Sequence, residues 1–599
     1  MSNIDDYLLH NFHLLDAGTY TEESFSEEAL AVKPRLPMLL HVRRPSWRPR
    51  RIPQCSVIAQ VGDIIACLGS LQTIEVLQND PDILSIEGSR PISNLECRHS
   101  LPLTKADIVH LPPFHEKGDK ALIAIIDNGI DVLHHAFRDE TGKQTRILAV
   151  WDQTDPRGPA PILRPSQIKL GTVYTGKQIN KYITHPQSLP EGLKMAREWG
   201  EHGTHVASIA TGRAIPQSGF VGGVAPEAGL IVVIPQLDSS IGYSNGHIAA
   251  LAFIRQIAQK HNLPVVINLS QGMNGGAHDG TSALETAFDQ FTNGGREAGC
   301  AVVKSAGNER DKGGHAKLSL HNNQRIILPW QVERADRRFP QPAKEQATIE
   351  IWFKACDEMT WRVKNPPGEY TPRVNKTNPT QQGRFAKGQN FYEISYKRYC
   401  EDNGDSRLLI TLASERPGQN ILPGAWALEI ECDTIRSAGE AHAWIERSPR
   451  RNIHFTDYLS AETTLSVPGT AHTVICVGSI SATSPFTVPF TSSYGPTRDK
   501  REKPDICAPG ENITAAQSNS LIDLIAKSGT SMAAPHATGA IALLFSFWEK
   551  KIQGDKTKRL NAAQVQAALR QTTQNFNSYW RYDTGYGVLD IEQLLAAFT

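Results

Sequence analysis

Residues 121–131 read ALIAIIDNGID, an apolar run that ends at the carboxylate of Asp127. The run Leu122–Ile126 is short, continuous and rich in β-branched residues, as in strands that are covered on both faces. Helix-compatible segments such as Ile248–Gln259 lie between runs of this kind, so the alternation predicts a parallel α/β sheet with right-handed crossovers. In such sheets the functional groups lie at the carboxyl ends of the strands. Four further runs have the same character: Leu230–Ile234, Val265–Ile267, Ala301–Val303 and Val474–Val477.

Two segments interrupt this alternation. From about Leu36 to Leu95, strand-like runs surround one short helical pattern, which predicts a small α+β unit ahead of the core. From about Gly313 to Ile453, helical periodicity disappears and alternating, aromatic-rich runs predict a β-sandwich inserted between two core strands. The predicted division is an N-terminal extension (1–35), an α+β unit (36–100), the first part of the α/β domain (101–312), an inserted β-sandwich (313–456) and the second part of the α/β domain (457–599).

Composition excludes several classes of protein. Of 599 residues, 40% are hydrophobic and 21% charged, which is ordinary for a globular chain and unlike a disordered one. The 62 basic and 62 acidic residues cancel, so no overall field favours nucleic acid or an anionic membrane. The arginine-rich stretch 43–51 is therefore interpreted as a solvated loop in preference to a nucleic-acid contact.

The cellular location and the metal content of the protein are predicted from targeting and metal-binding motifs that are not recognisable in the sequence. No secretory signal or bilayer-length apolar segment is recognisable, and the nine cysteines show no CxxC pair. We therefore expect a cytoplasmic protein with reduced thiols, no membrane partner and no metal site of the finger type.

Three residues in local motifs have side chains suited to nucleophilic catalysis. Asp127 follows a buried strand, His202 lies in EHGTHVAS, and Ser531 lies in SGTSMAAPH at the start of a small-residue helix. Taken singly, Asp127 could cap a turn and Ser531 could be an ordinary helix N-cap. His202 and His205 could bind zinc as a pair, but their spacing of three differs from the usual metalloprotease spacing.

The order Asp127, His202, Ser531, embedded in IIDNGID, HGTHVAS and GTSMAAPH, resembles the subtilisin-like serine proteases, or subtilases. This resemblance implies a subtilisin-like α/β fold in which Ser531 attacks a peptide carbonyl and His202 transfers the proton. It also implies that Asp127 holds the imidazole in the correct tautomer. Pro535 is expected in the first turn of the helix, where its missing N–H costs little.

The same resemblance extends to the groups around the nucleophile. Asn308, in the motif SAGN, matches the oxyanion position, where its amide would stabilise the tetrahedral intermediate. Ser270, Gln271 and Gly272 resemble the substrate-binding strand, whose backbone pairs with an extended peptide.

A narrower resemblance is to the Csp-type germination proteases, carried by ILAVWDQT (147–154) and SQGMNGGAHDG (270–280). That group has a jelly roll inserted between the oxyanion asparagine and the catalytic serine, where the β-rich segment lies here. The α+β unit resembles the subtilase prodomain, a chaperone and inhibitor of its own enzyme. If it acts in this way, self-cleavage would fall near Pro91–Leu103.

Together these observations predict a regulated serine endopeptidase acting on protein or peptide substrates. No cofactor is expected: the loop Gly212–Phe220 contains neither Asn nor Asp, and Ala136 stands near an expected ligand position, so the usual calcium site looks absent. The alternative is a catalytically silent pseudoprotease that serves as a binding or signalling module.

Overall fold

The computed structural model describes residues 36–44, 46–49, 52–61, 64–88, 97–163, 169–236, 243–335, 345–387, 390–414, 419–448, 451–483, 485–574 and 579–599. The chain divides into two compact units, Met1–Ser93 and Asn94–Thr599, each described by itself below.

The strands are β1 (Leu36–Val42), β2 (Ser56–Val61), β3 (Ile64–Gly69), β4 (Ile83–Gly88), β5 (Leu122–Ile126), β6 (Ile147–Asp152), β7 (Thr172–Thr175), β8 (Gly229–Ile234), β9 (Val265–Leu269), β10 (Cys300–Ser305), β11 (His315–Ser319), β12 (Arg325–Val332), β13 (Gln346–Phe353), β14 (Glu358–Lys364), β15 (Thr380–Arg384), β16 (Asn390–Lys397), β17 (Ser406–Ser414), β18 (Gly424–Thr434), β19 (Glu440–Ile445), β20 (Ile453–Phe455), β21 (Ile475–Ile480), β22 (Ile506–Pro509), β23 (Ile513–Ala516) and β24 (Leu524–Lys527).

The helices are α1 (Leu71–Leu77), α2 (Cys97–Thr104), α3 (Ala106–Val109), α4 (Gly176–Thr184), α5 (Glu191–Glu198), α6 (Glu201–Thr211), α7 (Tyr243–His261), α8 (Ala283–Phe291), α9 (Thr530–Lys551), α10 (Ala562–Gln571) and α11 (Ile591–Ala596).

The first unit is a four-stranded sheet with one helix, in the described part of its sequence. Its strands lie in the order β2-β3-β1-β4, and β1 runs antiparallel to both of its neighbours. Ser70 and Thr73 form a capping box that begins α1, and the apolar side of this helix is buried with the sheet through Ile74 and Leu77. This is the α+β unit that the sequence predicts.

The core of the second unit is a sheet of eight described strands in the order β22-β21-β10-β9-β5-β8-β6-β7. All neighbouring pairs are parallel except β6 and β7, which close one edge in the antiparallel sense. Ile123 and Ile125 of β5 contribute to one apolar cluster, whereas Leu122, Ala124 and Ile126 contribute to another. Both faces of the sheet are therefore covered, which confirms the predicted α/β class.

Helices α6 and α9 pack on one face of this sheet, and α7 and α8 on the other. Small residues allow the close approach on the first face: a Cβ atom at Gly539 would lie 2.5 Å from Cβ of Val224. The helix α9 begins at Thr530, so Pro535 is its sixth residue and lies in the second turn. The expectation that Pro535 falls in the first turn is wrong by about one turn.

The segment between β10 and β21 folds as two packed antiparallel sheets in the described ranges. One has the order β11-β19-β13-β17-β16-β15 and the other β14-β18-β12-β20. They share one apolar core, to which Trp330, Trp361 and Trp426 contribute large buried side chains. The β-sandwich is thus present where the sequence predicts it, and its classification as a jelly roll stays a prediction.

The sandwich is joined to the α/β core by buried polar and aromatic contacts. The rings of His278 and Trp444 stack with their centroids 4.2 Å apart. Arg498 forms ion pairs with Asp279 at 2.5 Å and with Asp405 of the sandwich at 2.7 Å, and all three side chains are almost completely buried. The two substructures are therefore parts of one compact unit.

Two chemical properties of the described residues complete this picture. The eight cysteines whose side chains are described carry free thiols. Among the described helices, none has the combined length and apolar character required to cross a membrane.

Candidate active site

Asp127 lies directly after β5, at the carboxyl end of the strand. Its side chain is completely buried, and the backbone N–H of Asn128 donates to Oδ1 at 2.8 Å. Nδ1 of His202 lies 2.8 Å from Oδ1 and 3.0 Å from Oδ2 of this carboxylate. Because a carboxylate only accepts, we assign the hydrogen of the neutral ring to Nδ1, which leaves Nε2 as an acceptor.

Gly203 lets the helix that carries His202 approach this strand end closely. A Cβ atom at position 203 would lie 2.1 Å from the carbonyl oxygen of Gly129 and 3.0 Å from Cβ of Asp127. A larger residue would push α6 away from the strand. The small residue in the motif HGTH is therefore part of what places His202, the second residue of α6, beside the carboxylate.

The pKa of His202 reflects two opposing influences. Burial, the largest influence, lowers it, whereas the charge and hydrogen bond of Asp127 raise it, and the net result lies above the ordinary value. The ammonium of Lys527 also lowers it, but Lys527 is itself paired with Glu201 at 2.6 Å. One third of the His202 side chain is exposed, so its ring contacts both the buried carboxylate and the solvent.

Ser531 is the second residue of α9 and lies at the same edge of the sheet. The strand β24, which precedes it, reaches α6, because Nε2 of His205 lies 2.9 Å from the carbonyl oxygen of Ile525. The Ser531 hydroxyl donates to the carbonyl oxygen of Ser270 at 3.4 Å. Among the described residues, this bond takes the place of the predicted one to His202.

Ser270 and Ser531 are linked in both directions. While the Ser531 hydroxyl donates to Ser270, the Ser270 hydroxyl donates to the carbonyl oxygen of Ser531 at 3.3 Å. In a regular helix that carbonyl would accept from the N–H of residue 535, but Pro535 has none. The proline in the second turn thus leaves the Ser531 carbonyl available to Ser270.

Asn308 follows β10 and is oriented by Thr530, the residue before Ser531. Its Oδ1 accepts from the backbone N–H of Thr530 at 3.0 Å and from the Thr530 hydroxyl at 3.2 Å. This assignment leaves the Nδ2 hydrogens without a partner in the described structure. A Cβ atom at Gly529 would lie 3.2 Å from Nδ2, and Gly529 has a φ of 143°, so glycine is needed there on both grounds.

His205 does not join His202 as a metal ligand. Its side chain is completely buried, and burial lowers its pKa to about 3, so the ring is neutral and structural. No cluster of three or more His, Cys, Asp or Glu side chains suited to a metal ion is found in the part of the chain that the structure describes.

The predicted residues occupy one edge of the sheet, with differences in detail. Asp127, His202, Asn308, Ser270 and Ser531 lie together, whereas the side-chain oxygen of Gln271 is buried with no hydrogen-bond partner among the described residues. Gly272 lies against the carbonyl oxygen of Val467.

Sequence analysis missed two residues at this edge. Thr530 orients the amide of Asn308. Its position directly before Ser531, in the motif GTS, could have marked it as a site residue. Lys304 is a buried lysine in the strand CAVVKS, and a charged residue in an otherwise apolar run was the signal there.

Comparison with known proteins agrees with this arrangement. The family described as "Subtilase family" matches residues 118–335 and 435–587. The gap between the two matched ranges falls inside the β-sandwich.

Curated relatives include a C5a peptidase of Streptococcus pyogenes serotype M3, which is 24% identical over 461 residues, covering 74% of this chain and 36% of the relative. A PIII-type proteinase of Lactococcus lactis subsp. cremoris is 24% identical over 497 residues, covering 75% of this chain and 24% of the relative. The chain therefore spans about a third or less of the length of these relatives.

A solved structure of the Clostridium perfringens CspB protease superposes with a TM-score of 0.68 at 23% identity, covering 83% of this chain and 96% of that chain. At this identity the likeness shows the fold. The family match covers more than half of the sequence and includes Asp127, His202, Asn308 and Ser531. On this evidence the chain belongs to the subtilase family.

Proposed function

We propose that this protein is a serine endopeptidase that cleaves protein substrates through an acyl-enzyme on Ser531. The observation that carries the proposal is the hydrogen-bonded pair of Asp127 and His202 at the same sheet edge as Ser531, with the unpartnered amide of Asn308 beside them. The relatives named as peptidases and proteinases support the same reaction class.

The proposed reaction begins with a rotation about the Cα–Cβ bond of Ser531. The hydroxyl leaves the carbonyl oxygen of Ser270, a long contact at 3.4 Å, and turns to Nε2 of His202. Catalytic hydrogen bonds that are long in the free enzyme often tighten only in the substrate complex. His202 takes the proton as Oγ attacks the peptide carbonyl and later returns it to the leaving amine.

The negative charge of the tetrahedral intermediate needs two donors. Nδ2 of Asn308 supplies one, and the backbone N–H of Ser531 at the start of α9 supplies the other. Asp127 stabilises the imidazolium that forms in this step.

The N-terminal unit is proposed as a prodomain that the enzyme removes from itself. The resemblance to a prodomain predicts cleavage near Pro91–Leu103, but residues 97–104 form α2, with Ser100 and Leu101 buried in the second unit. A peptidase needs an extended substrate, so we place the cleavage before Cys97, in a stretch that lies outside the described residues. N-terminal sequencing of active protein tests this: a start between 90 and 97 supports it, and an intact Met1 contradicts it.

Fluorophosphonate labelling of the full chain tests the catalytic proposal. We expect labelling at Ser531, its loss in Ser531→Ala, and its retention in the control Ser528→Ala, which removes an exposed serine three residues away. Asn308→Ala should lower kcat by about 10²–10³-fold with little change in KM. An unlabelled, inactive wild-type protein would instead favour the pseudoprotease alternative.

The natural substrate is proposed to be one or a few specific proteins, in a regulated setting. The expected cytoplasmic location rests on sequence pattern alone, and cell fractionation tests it.

A further inference from the structure

Lys304 is a buried cation without an acidic partner. It is the fifth residue of β10 and is 1% exposed. Nζ donates to the hydroxyl of Ser466 at 2.8 Å, to the hydroxyl of Ser305 at 3.1 Å and to the carbonyl oxygen of Ser305. All of these acceptors are neutral, and no carboxylate pairs with Nζ within the described ranges. A buried lysine held in this way is costly, which asks for a functional reason.

The amine lies between the two segments that flank the nucleophile. A Cβ atom at Gly272 would lie 3.0 Å from Cε of Lys304 and 3.0 Å from Oγ of Ser466. A Cβ atom at Gly307 would lie 3.0 Å from the same Oγ. Gly272 belongs to the segment that begins at Ser270, and Gly307 immediately precedes Asn308.

A bound substrate would direct one side chain toward this amine. Its scissile carbonyl carbon must meet Oγ of Ser531, and its carbonyl oxygen must meet Nδ2 of Asn308. The side chain of that residue, on the acyl side of the scissile bond, would then lie against the segments of Gly272 and Gly307. Lys304 and Ser466 are packed against these segments, since a Cβ atom at Gly272 would lie 3.0 Å from atoms of both residues and one at Gly307 would lie 3.0 Å from Ser466.

The charges around Lys304 favour an acidic side chain. The charge of Arg447 lowers the pKa of Lys304 and that of Glu309 raises it. These two residues pair with each other at 3.2 Å, so their effects on this pKa largely cancel. Cys476 on the neighbouring strand β21 stays a neutral thiol, because burial raises its pKa to about 12. Burial lowers the pKa of Lys304 to about 7, and a carboxylate beside the amine would favour its protonated, charged form.

We propose that Lys304 is a specificity-determining residue that selects aspartate or glutamate on the acyl side of the scissile bond. The inference rests on the proposed peptidase function. An arriving carboxylate would take the place of the Ser466 hydroxyl as an acceptor of Nζ and would neutralise the buried charge.

The test uses the full chain and two peptides that differ only in glutamate or glutamine before the scissile bond. We expect kcat/KM to favour glutamate by about tenfold or more at pH 7, in line with the strength of hydrogen bonds between charged groups. The ratio should fall as the pH rises and Lys304 loses its proton. In Lys304→Met, which keeps an unbranched side chain one atom shorter but removes the amine and its charge, the ratio should be about one and independent of pH.

The matched control is Lys503→Met. Lys503 is also 1% exposed, but it pairs with Asp505 at 3.1 Å away from the cleft. This variant should lose stability and keep the glutamate preference. If Lys304→Met does not fold, the wild-type ratio and its pH dependence still decide the question.

The outcomes separate the two proposals. Labelling of Ser531 with equal cleavage of both peptides, or with better cleavage of an alanine peptide, overturns the role of Lys304 alone. Absence of labelling and of cleavage overturns the peptidase function, and the specificity with it.

Discussion

At the residue scale, the imidazole of His202 lies between a buried carboxylate and the solvent. Burial opposes its protonation and Asp127 favours it, with Asp127 prevailing. In the proposed reaction the ring must be neutral before it can accept the Ser531 proton. The ionisation of this one side chain therefore sets the lower pH limit of activity.

We expect the rate to rise with pH through an ionisation that lies above the ordinary value for histidine. The direction follows because a raised pKa keeps the ring protonated, and hence inactive as a base, to a higher pH. Measuring kcat/KM from pH 5 to 9 checks this.

The control for this profile is Asp127→Asn, which should lower kcat by about 10⁴-fold, because the ring loses the group that fixes its tautomer. If kcat/KM of the wild-type enzyme instead rose through an ionisation well below the ordinary histidine pKa, the pairing of His202 with Asp127 would be contradicted.

At the element scale, α9 lacks one backbone hydrogen bond near its start, at the carbonyl of Ser531. Pro535 leaves the Ser531 carbonyl without a helical donor, and the hydroxyl of Ser270, the residue after β9, donates to it instead. Asn268 extends the link, since its side chain bonds Ser270 at 3.1 Å and Thr538 at 2.9 Å. Strand and helix are thus connected by side chains in addition to apolar packing.

Replacing Pro535 by alanine should strengthen the helix and weaken the site. The new N–H competes with Ser270 for the Ser531 carbonyl, so we expect a higher melting temperature and a lower kcat. A double-mutant cycle with Ser270→Ala measures the coupling, because the alanine at 535 should partly restore the stability that the loss of Ser270 costs. Purely additive effects on stability would contradict this link.

Local patterns predicted much of this arrangement. β5 and Asp127 could be recognised because a buried parallel strand and the polar residue at its end are contiguous in sequence. The pairing of Thr530 with Asn308 could not be derived in this way, because the two residues are 222 positions apart. The same holds for Lys304 and Ser466, which are 162 positions apart, and for Pro535, whose turn depends on where α9 begins.

At the scale of the whole molecule, Arg498 joins the α/β core to the β-sandwich. It lies between two buried carboxylates, Asp279 and Asp405, and all three side chains are at most 8% exposed. Burial, the largest influence, raises the pKa of Asp279, but the charge of Arg498 and the hydrogen bonds from Thr281 and Asn403 together outweigh it, so the pKa lies below its ordinary value.

Arg498→Met should destabilise the protein by about 3–5 kcal/mol at neutral pH, because it leaves buried charges uncompensated. The lowered pKa of Asp279 means that the pair stabilises the fold above the ordinary carboxyl range. This stabilisation is lost as the pH falls toward the folded-state pKa. Denaturant unfolding at pH 7 and at about pH 3, below the ordinary pKa of an aspartate, measures both effects.

Arg373→Met is the control for this variant, since it breaks an exposed pair with Glu431 and should change stability by less than about 1 kcal/mol. A similar loss in both variants, or a loss for Arg498→Met that is unchanged at about pH 3, would contradict the explanation.

The expected independence from calcium is also a property of the whole molecule. We predict that a chelator leaves the melting temperature within about 2 °C of its value with added calcium, because a bound ion that stabilises only the folded state would raise it. A drop of 10 °C on chelation would reveal a calcium site and overturn the prediction.

The position of the β-sandwich between Asn308 and Ser531 has a consequence for biosynthesis. β10 is translated long before its neighbour β21, and α9 later still, so the two halves of the oxyanion site leave the ribosome at different times. A nascent chain that has folded only as far as the sandwich lacks Ser531, the proposed nucleophile. The polypeptide should therefore be harmless to surrounding proteins until synthesis has passed α9.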